Sequence, residues 1–274
     1  MTFNEAFAAA GDRALILPYM MCGLPDSDGT IDLFRAMADA GADGFEVGIP
    51  YADPLMDGHV IQQAGAQALA GGMTLRQGLE ITSQVVEATG LPCAVMTYVN
   101  PVLTMGVIDF AGRAGDAGAG AAIIADLPVD ESDPFAGALE AAGVGLVQFA
   151  APTTTDARLD LVVERANPFV YGIAEMGVTG ERDRSSSRAV ELAARVRARS
   201  EVPLVLGVGI SGPESAAAAG RLADGVIVGT ALVRRVLDAE NAAAACAAVA
   251  ELVGDLAQAV TDFGSDIGDR TPNS

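Results

Sequence analysis

Ala14-Leu-Ile-Leu-Pro-Tyr-Met20, followed directly by Met21-Cys-Gly-Leu-Pro-Asp26, decides the fold. The first seven residues are continuously apolar, as a strand buried on both faces of a parallel sheet reads. A doubly wound open sheet wants a glycine fingerprint after its first strand. Met21 to Asp26 carries a lone glycine and a proline there, which favours a barrel. Seven further apolar runs follow, at 44–49, 92–98, 121–125, 145–150, 169–174, 203–208 and 224–229. Between them lie segments of helical period such as Thr30–Ala40, Leu75–Thr89, Asp156–Ala166 and Arg188–Arg199. Eight strand–helix units in about 250 residues are the arithmetic of an α/β protein of the (β/α)8 TIM-barrel type. The pairs Ala40-Gly41 and Ala142-Gly143 read as glycine-capped helix ends before strands. The barrel is expected as one domain over 1–262, with a polar, turn-rich tail over 263–274 that frays.

The composition removes several chemistries. Among 274 residues, 51% are hydrophobic and 19% charged, enough apolar material for a large core. There is no Lys, so all sixteen basic residues are Arg, and Schiff-base chemistry on this chain is excluded. His59 is the one histidine, so no multi-histidine metal site can form, and none is expected. Cys22, Cys93 and Cys246 are too far apart in the chain for a CxxC site and odd in number, and read as small buried hydrophobes. A net charge of −20 argues against nucleic acid as a partner. The N-terminus lacks a signal-peptide pattern, and the apolar stretch Ala242 to Ala250 is shorter than the roughly 20 residues of a membrane span. A soluble, cytoplasmic protein with no membrane partner is expected.

Barrel sites lie at the C-terminal ends of strands, so the candidates are strand ends and the loops after them. The first is Gly44-Phe-Glu46-Val-Gly-Ile-Pro-Tyr-Ala-Asp53-Pro-Leu-Met-Asp57-Gly58. A carboxylate inside an apolar strand is costly without partners. Glu46 faces either the barrel interior or the helix layer, and reads as a general acid/base or as half of an ion pair. Asp53 and Asp57 follow in a Pro-bounded loop, where a turn cap competes with a catalytic role. The second candidate is the pair of glycine loops Gly207-Val-Gly209-Ile-Ser211-Gly212 and Gly225-Val-Ile-Val-Gly229-Thr230-Ala231. At the seventh and eighth strand ends such loops bind phosphate through backbone amides, though turn chemistry alone also produces them. The third is Gly177-Val-Thr179-Gly180-Glu-Arg-Asp-Arg-Ser-Ser-Ser187, either a mobile lid or a solvated surface loop.

Glu46-Val-Gly-Ile-Pro-Tyr-Ala-Asp-Pro-Leu-Met-Asp57-Gly resembles the signature of the tryptophan synthase α-subunit family. Gly177-Val-Thr-Gly180, Gly207-Val-Gly-Ile-Ser211 and Gly229-Thr-Ala231 match its lid and phosphate loops in order, and the likeness covers roughly 3–260. The resemblance implies a lyase that splits indole-3-glycerol phosphate into indole and glyceraldehyde 3-phosphate without a cofactor. It also implies a β-subunit partner, in an α2β2 tetramer, which receives the indole. By motif, Glu46 and Asp57 correspond to the catalytic carboxylates and Tyr171 to the tyrosine near the glutamate. Tyr19 and Met96 correspond to the indole pocket, Gly180, Gly209, Gly229 and Thr230 to the phosphate site, and Thr179 to the clamp on Asp57. The chain departs from the motif at Ala52, where serine is usual, and at His59, where proline is usual. Ala174-Glu175-Met176 also stands where some members carry a Ser-Arg pair. A lyase acting without a β-subunit and a non-catalytic phosphate-binding barrel are the alternatives.

Overall fold

Each apolar run is a strand in the computed structural model, which describes residues 1–173, 182–207 and 209–261, with the backbone alone for 182–186. The strands are β1 (Leu15–Met21), β2 (Phe45–Gly48), β3 (Cys93–Thr97), β4 (Ala121–Ile124), β5 (Gly145–Leu146), β6 (Gln148–Ala150), β7 (Val170–Gly172), β8 (Leu204–Leu206) and β9 (Gly225–Val228). All pairs are parallel, in the order β5-β4-β3-β2-β1-β9-β8-β7-β6. The two ends of that order, β5 and β6, are consecutive in the chain and separated by Val147 alone. The sheet therefore closes into the expected barrel. The run 145–150 is divided rather than continuous, because its first half pairs with β4 and its second with β7. The hand-over shows in single bonds: Val147 N–H reaches Ala122 O at 3.0 Å, and Asn167 N–H reaches Leu146 O at 3.0 Å.

The surrounding helices are α1 (Phe3–Ala10), α2 (Ser27–Asp39), α3 (His59–Ala70), α4 (Leu75–Thr89), α5 (Val99–Met105), α6 (Val107–Asp116), α7 (Asp133–Ala141), α8 (Asp156–Arg165), α9 (Arg182–Arg197), α10 (Pro213–Gly220), α11 (Thr230–Leu237) and α12 (Ala242–Thr261). α2 begins three residues before the periodic pattern, because the Asp26 carboxylate accepts the Gly29 N–H at 2.8 Å and caps the first turn. α9 begins at Arg182, well before Arg188. Its first turns are Arg, Asp and Ser, with no apolar period to betray them, and Ala189 is the first buried residue among its described side chains. Part of the segment read as a lid is thus helical, and residues 174–181 lie outside the described residues. So does the 262–274 end of the chain. α12 is far longer than the nine-residue apolar stretch visible in the sequence, and by length and composition could cross a bilayer. Here it contacts α2, α10 and α11, and buries Ala245, Val249, Leu252, Val253, Leu256 and Val260 along one stripe. It is a layer helix of the barrel.

Strand alternation assigns the faces. Phe45 meets Phe34 of α2 edge-on at 4.9 Å, so Phe45 faces the helix layer and its neighbour Glu46 faces the barrel interior. Paired positions on adjacent strands share a face. The register therefore puts Tyr19, Glu46, Ala94, Ala121 and Gly145 in one interior row. The small residues beside Glu46 leave room that larger strand residues would fill. From the other direction Leu15, Gly225, Val205, Tyr171 and Phe149 form a row on the same face. At the opposite end of the barrel the strands are tied by carboxylates. Asp43 takes a two-pronged hydrogen bond from Arg13, each arm 2.7 Å, and the Ile16 N–H at 2.8 Å, while Asp224 accepts the Leu204 N–H at 2.8 Å.

Candidate active site

Glu46 is 2% exposed, and neither of its carboxylate oxygens has a hydrogen-bond partner among the described residues. Among the described residues no arginine answers it, which goes against the ion-pair reading. Burial first, and the nearby Asp57 charge second, push its carboxyl from 4.5 up to about 8. Near pH 7 roughly nine in ten such groups hold their proton. A buried acid with a proton to give, and no internal partner to give it to, is poised for exchange with a ligand.

Asp57 stands on the loop after β2 in a different environment. Burial raises its carboxyl, but a hydrogen bond from the Tyr98 hydroxyl opposes the rise. Its backbone is held as well: Asp57 N–H bonds Pro54 O at 3.1 Å, and the Gln62 amide of α3 donates to Asp57 O at 2.9 Å. Burial thus raises both carboxyls, but only for Asp57 does a hydrogen bond oppose the rise, and the Asp57 charge in turn helps keep Glu46 protonated. Two carboxylates near one another, in unlike surroundings, form an acid/base pair.

Beside Tyr19 and Asp57 lies a narrow pocket walled by Tyr19, Met21, Ile49, Pro50, Tyr51, Pro54, Asp57, Ile61, Gly65, Met96, Thr97 and Tyr98. Of the residues expected at an indole site, Tyr19 and Met96 are both on this wall. Glu46 and Tyr171 are not on it, although Glu46 pairs with Tyr19 across β1 and β2. Burial, with the Glu46 and Asp57 charges next, raises the Tyr171 hydroxyl; the Tyr19 hydroxyl rises from burial, then Asp57, then Glu46. Each tyrosine lies across a glycine. A Cβ on Gly48 would sit 2.2 Å from the Tyr19 hydroxyl oxygen, and one on Gly207 would sit 2.3 Å from that of Tyr171. These glycines are required by the tyrosines.

The phosphate-loop residues are placed in part. Gly209 has φ +80°, a left-handed conformation that glycine adopts without strain. Gly229 precedes α11, and Thr230 is its first residue. No side chain caps this helix, so its first N–H groups point outward as they would toward an anion. Gly229 also borders Tyr19, whose Cβ lies 3.4 Å from where a Gly229 Cβ would be, so this loop adjoins the pocket. The Ser211 and Gly212 amides are occupied, since both donate to Ser215 Oγ at 3.0 and 3.2 Å. Thr179 and Gly180 lie outside the described residues. Asp53 is exposed on the loop. Among the described residues no three His, Cys, Asp or Glu side chains cluster as metal ligands would.

Sequence reasoning missed Tyr98, Tyr51, Asn100 and Thr97. Thr97 is buried on the pocket wall with no partner for its hydroxyl among the described residues. Three of them fall in Thr97-Tyr-Val-Asn100 at the end of the third strand, a strand end where polar groups deserved the weight given to the second strand, and Tyr51 lies in the loop after β2.

The chain matches the family model "Tryptophan synthase alpha chain" over residues 6–261. It is similar to the tryptophan synthase alpha chain of Salinispora tropica, with 45% identity over 92% of this chain and 94% of the relative. It is 41% identical to that of Streptomyces avermitilis, covering 93% and 92% of the two chains. Among solved structures it resembles a chain of Mycobacterium tuberculosis tryptophan synthase, with a TM-score of 0.84, 36% identity and coverage of 93% and 96%. It also resembles tryptophan synthase subunit alpha from Legionella pneumophila, with a TM-score of 0.87, 30% identity and coverage of 96% and 99%.

Proposed function

The chain belongs to the tryptophan synthase alpha chain family, and from that premise we propose that Glu46 and Asp57 cleave indole-3-glycerol phosphate into indole and glyceraldehyde 3-phosphate. Its place is that of an alpha subunit in tryptophan biosynthesis. The observation that carries the catalytic assignment is the unlike surroundings of the two carboxylates: Glu46 is buried, unpartnered among the described residues and pushed up to about 8, while the rise that burial gives Asp57 is opposed by Tyr98.

The chemistry needs that difference. Indole cannot leave from C3 as a carbanion, so C3 must first be protonated, with positive charge developing at N1. Glu46 gives its proton to C3, and the ionised Asp57 near N1–H stabilises the cation. Glu46, now a carboxylate, removes the proton of the hydroxyl beside the breaking bond. The oxygen electrons form the aldehyde, the C–C bond breaks, and its electron pair returns to the ring. Glu46 ends protonated, as it began. Tyr19 and Met96 wall the indole, Tyr171 packs beneath it near Glu46, and the amides at Gly180, Gly209, Gly229 and Thr230 hold the phosphate. Thr179 clamps Asp57 on closure. An acidic chain with no Lys can hold a phosphate because backbone dipoles supply the positive end.

The partner is a tryptophan synthase β-subunit, in an α2β2 assembly. The test is direct: incubate the purified chain with indole-3-glycerol phosphate, with and without a matched β-subunit, and follow indole. Glu46→Gln and Asp57→Asn should each lower turnover by about 10²–10⁴-fold while the protein stays folded. Near-normal turnover in either variant would mean that the two-carboxylate mechanism is wrong.

A further inference from the structure

Tyr98 is buried at the end of β3, with its hydroxyl among groups of the loop that follows β2. The Met56 N–H donates to that hydroxyl at 3.2 Å, and Met56 is the residue before Asp57. The oxygen is therefore used as an acceptor from one side, and its single proton is left for the carboxylate beside it. No other side chain or amide among the described residues donates to the Asp57 carboxylate. Gln62 and Pro54 hold only the backbone of Asp57, and a held backbone does not aim a carboxylate.

The tyrosine is itself braced. Its ring lies 5.2 Å from that of Tyr51, and the Tyr51 hydroxyl accepts the Asn100 side-chain N–H at 2.9 Å. Asn100 belongs to α5, whose first N–H, from Val99, donates to Asp126 at 2.7 Å. A strut thus runs from Asp126 and α5 through two tyrosines to the loop carrying Asp57. Bracing of this kind is what a group needs if it must sit within a fraction of an ångström of a reacting atom.

We propose that Tyr98 is a positioning residue for the lyase, its hydroxyl locking the direction of the Asp57 carboxylate toward the indole nitrogen. This rests on the lyase reading of the site. Tyr98 touches no reacting atom and acts through Asp57. Besides Tyr98, the groups that act electrostatically with Asp57 among the described residues are Glu46 from β2, Tyr19 from β1 and Tyr171 from β7, with Asp126 behind Tyr98. None of these is cationic. The Tyr98 hydrogen bond is the influence that favours the Asp57 charge, and its loss should raise the carboxyl.

The experiment compares the full chain with Tyr98→Phe in two readouts. In the first, the ¹³C chemical shift of the Asp57 carboxyl is followed against pH, which needs no catalysis. Its midpoint should move upward in Tyr98→Phe. With 3-fluorotyrosine at position 98, a stronger donor of nearly the same shape, it should move downward, and this second substitution serves if Tyr98→Phe does not fold. In the second, indole release is measured against substrate concentration and pH. A hydrogen bond to a charged group supports a fall in kcat of about 10–100-fold in Tyr98→Phe, with KM within about twofold and the acid limb of kcat moved to higher pH. An Asp57 titration indifferent to both substitutions overturns the proposal. So does a kcat loss with an unmoved acid limb, the mark of a merely structural residue. A shifted titration in a chain that never releases indole would leave the positioning intact and sink the lyase reading instead.

Discussion

Glu46→Gln should make the protein more stable at alkaline pH, and by an amount that grows with pH. The folded carboxyl sits at about 8 against an ordinary 4.5, so the folded state binds the proton more tightly than the unfolded state. The stability tied to that proton is fully present below about pH 4.5 and is lost as pH rises through about 8. Across this span of about 3.5 pH units the wild-type slope is about −1.4 kcal/mol per unit, a total of about 5 kcal/mol. Glu46 is completely buried, so solvent screening does not dilute the effect. Glutamine has the same shape and no proton to lose, and its curve should lack the slope. Its unpartnered amide carries a penalty of about 1–3 kcal/mol, but that offset does not depend on pH. The observable is therefore the slope. Urea unfolding of both proteins from pH 5 to 9 measures it, and the difference in free energy should tilt toward the variant by several kcal/mol between those limits. Parallel curves would show that Glu46 is ionised in the folded chain at neutral pH, and the assignment of the C3 proton donor would fall with that.

Three further outcomes are expected. Gly48→Ala should displace the Tyr19 ring, since the added methyl would lie 2.2 Å from its hydroxyl oxygen; overpacking of this kind costs about 1–3 kcal/mol and should raise KM for the indole-bearing substrate, visible by thermal melting and steady-state kinetics. Asp43→Ala removes the acceptor of both Arg13 and the Ile16 N–H at the far end of the barrel. Its urea midpoint should drop by the equivalent of about 1–3 kcal/mol while the kinetics of the folded protein stay unchanged. Titrating a matched β-subunit into the lyase assay should raise indole release, and Thr179→Val should abolish the rise; brisk release by the lone chain with no response to the partner would mark a lyase whose site closes unaided.

Much of this protein was legible in its sequence because it rests on local chemistry. Continuous apolar runs separated by helical periods forced a parallel sheet, and a first strand without a glycine fingerprint favoured closing it into a barrel. Glu46 betrayed itself by being charged where its neighbours were apolar. Tertiary structure decided what depends on neighbours remote in the chain. Whether Glu46 faced the interior or the helices hinged on the meeting of Phe45 with Phe34 across the helix layer, and whether it was an ion pair hinged on the absence of any cation within reach among the described residues. The break at Val147 followed from two strands pulling one run in different directions. The start of α9 was hidden because its polar first turns carry no apolar period. Tyr98 escaped because a tyrosine at a strand end looks like any other until Met56 and Asp57, forty-odd residues earlier, are folded against its hydroxyl. Burial and hydrogen-bond partnership are properties of pairs in space, and a sequence read residue by residue holds only one member of each pair at a time.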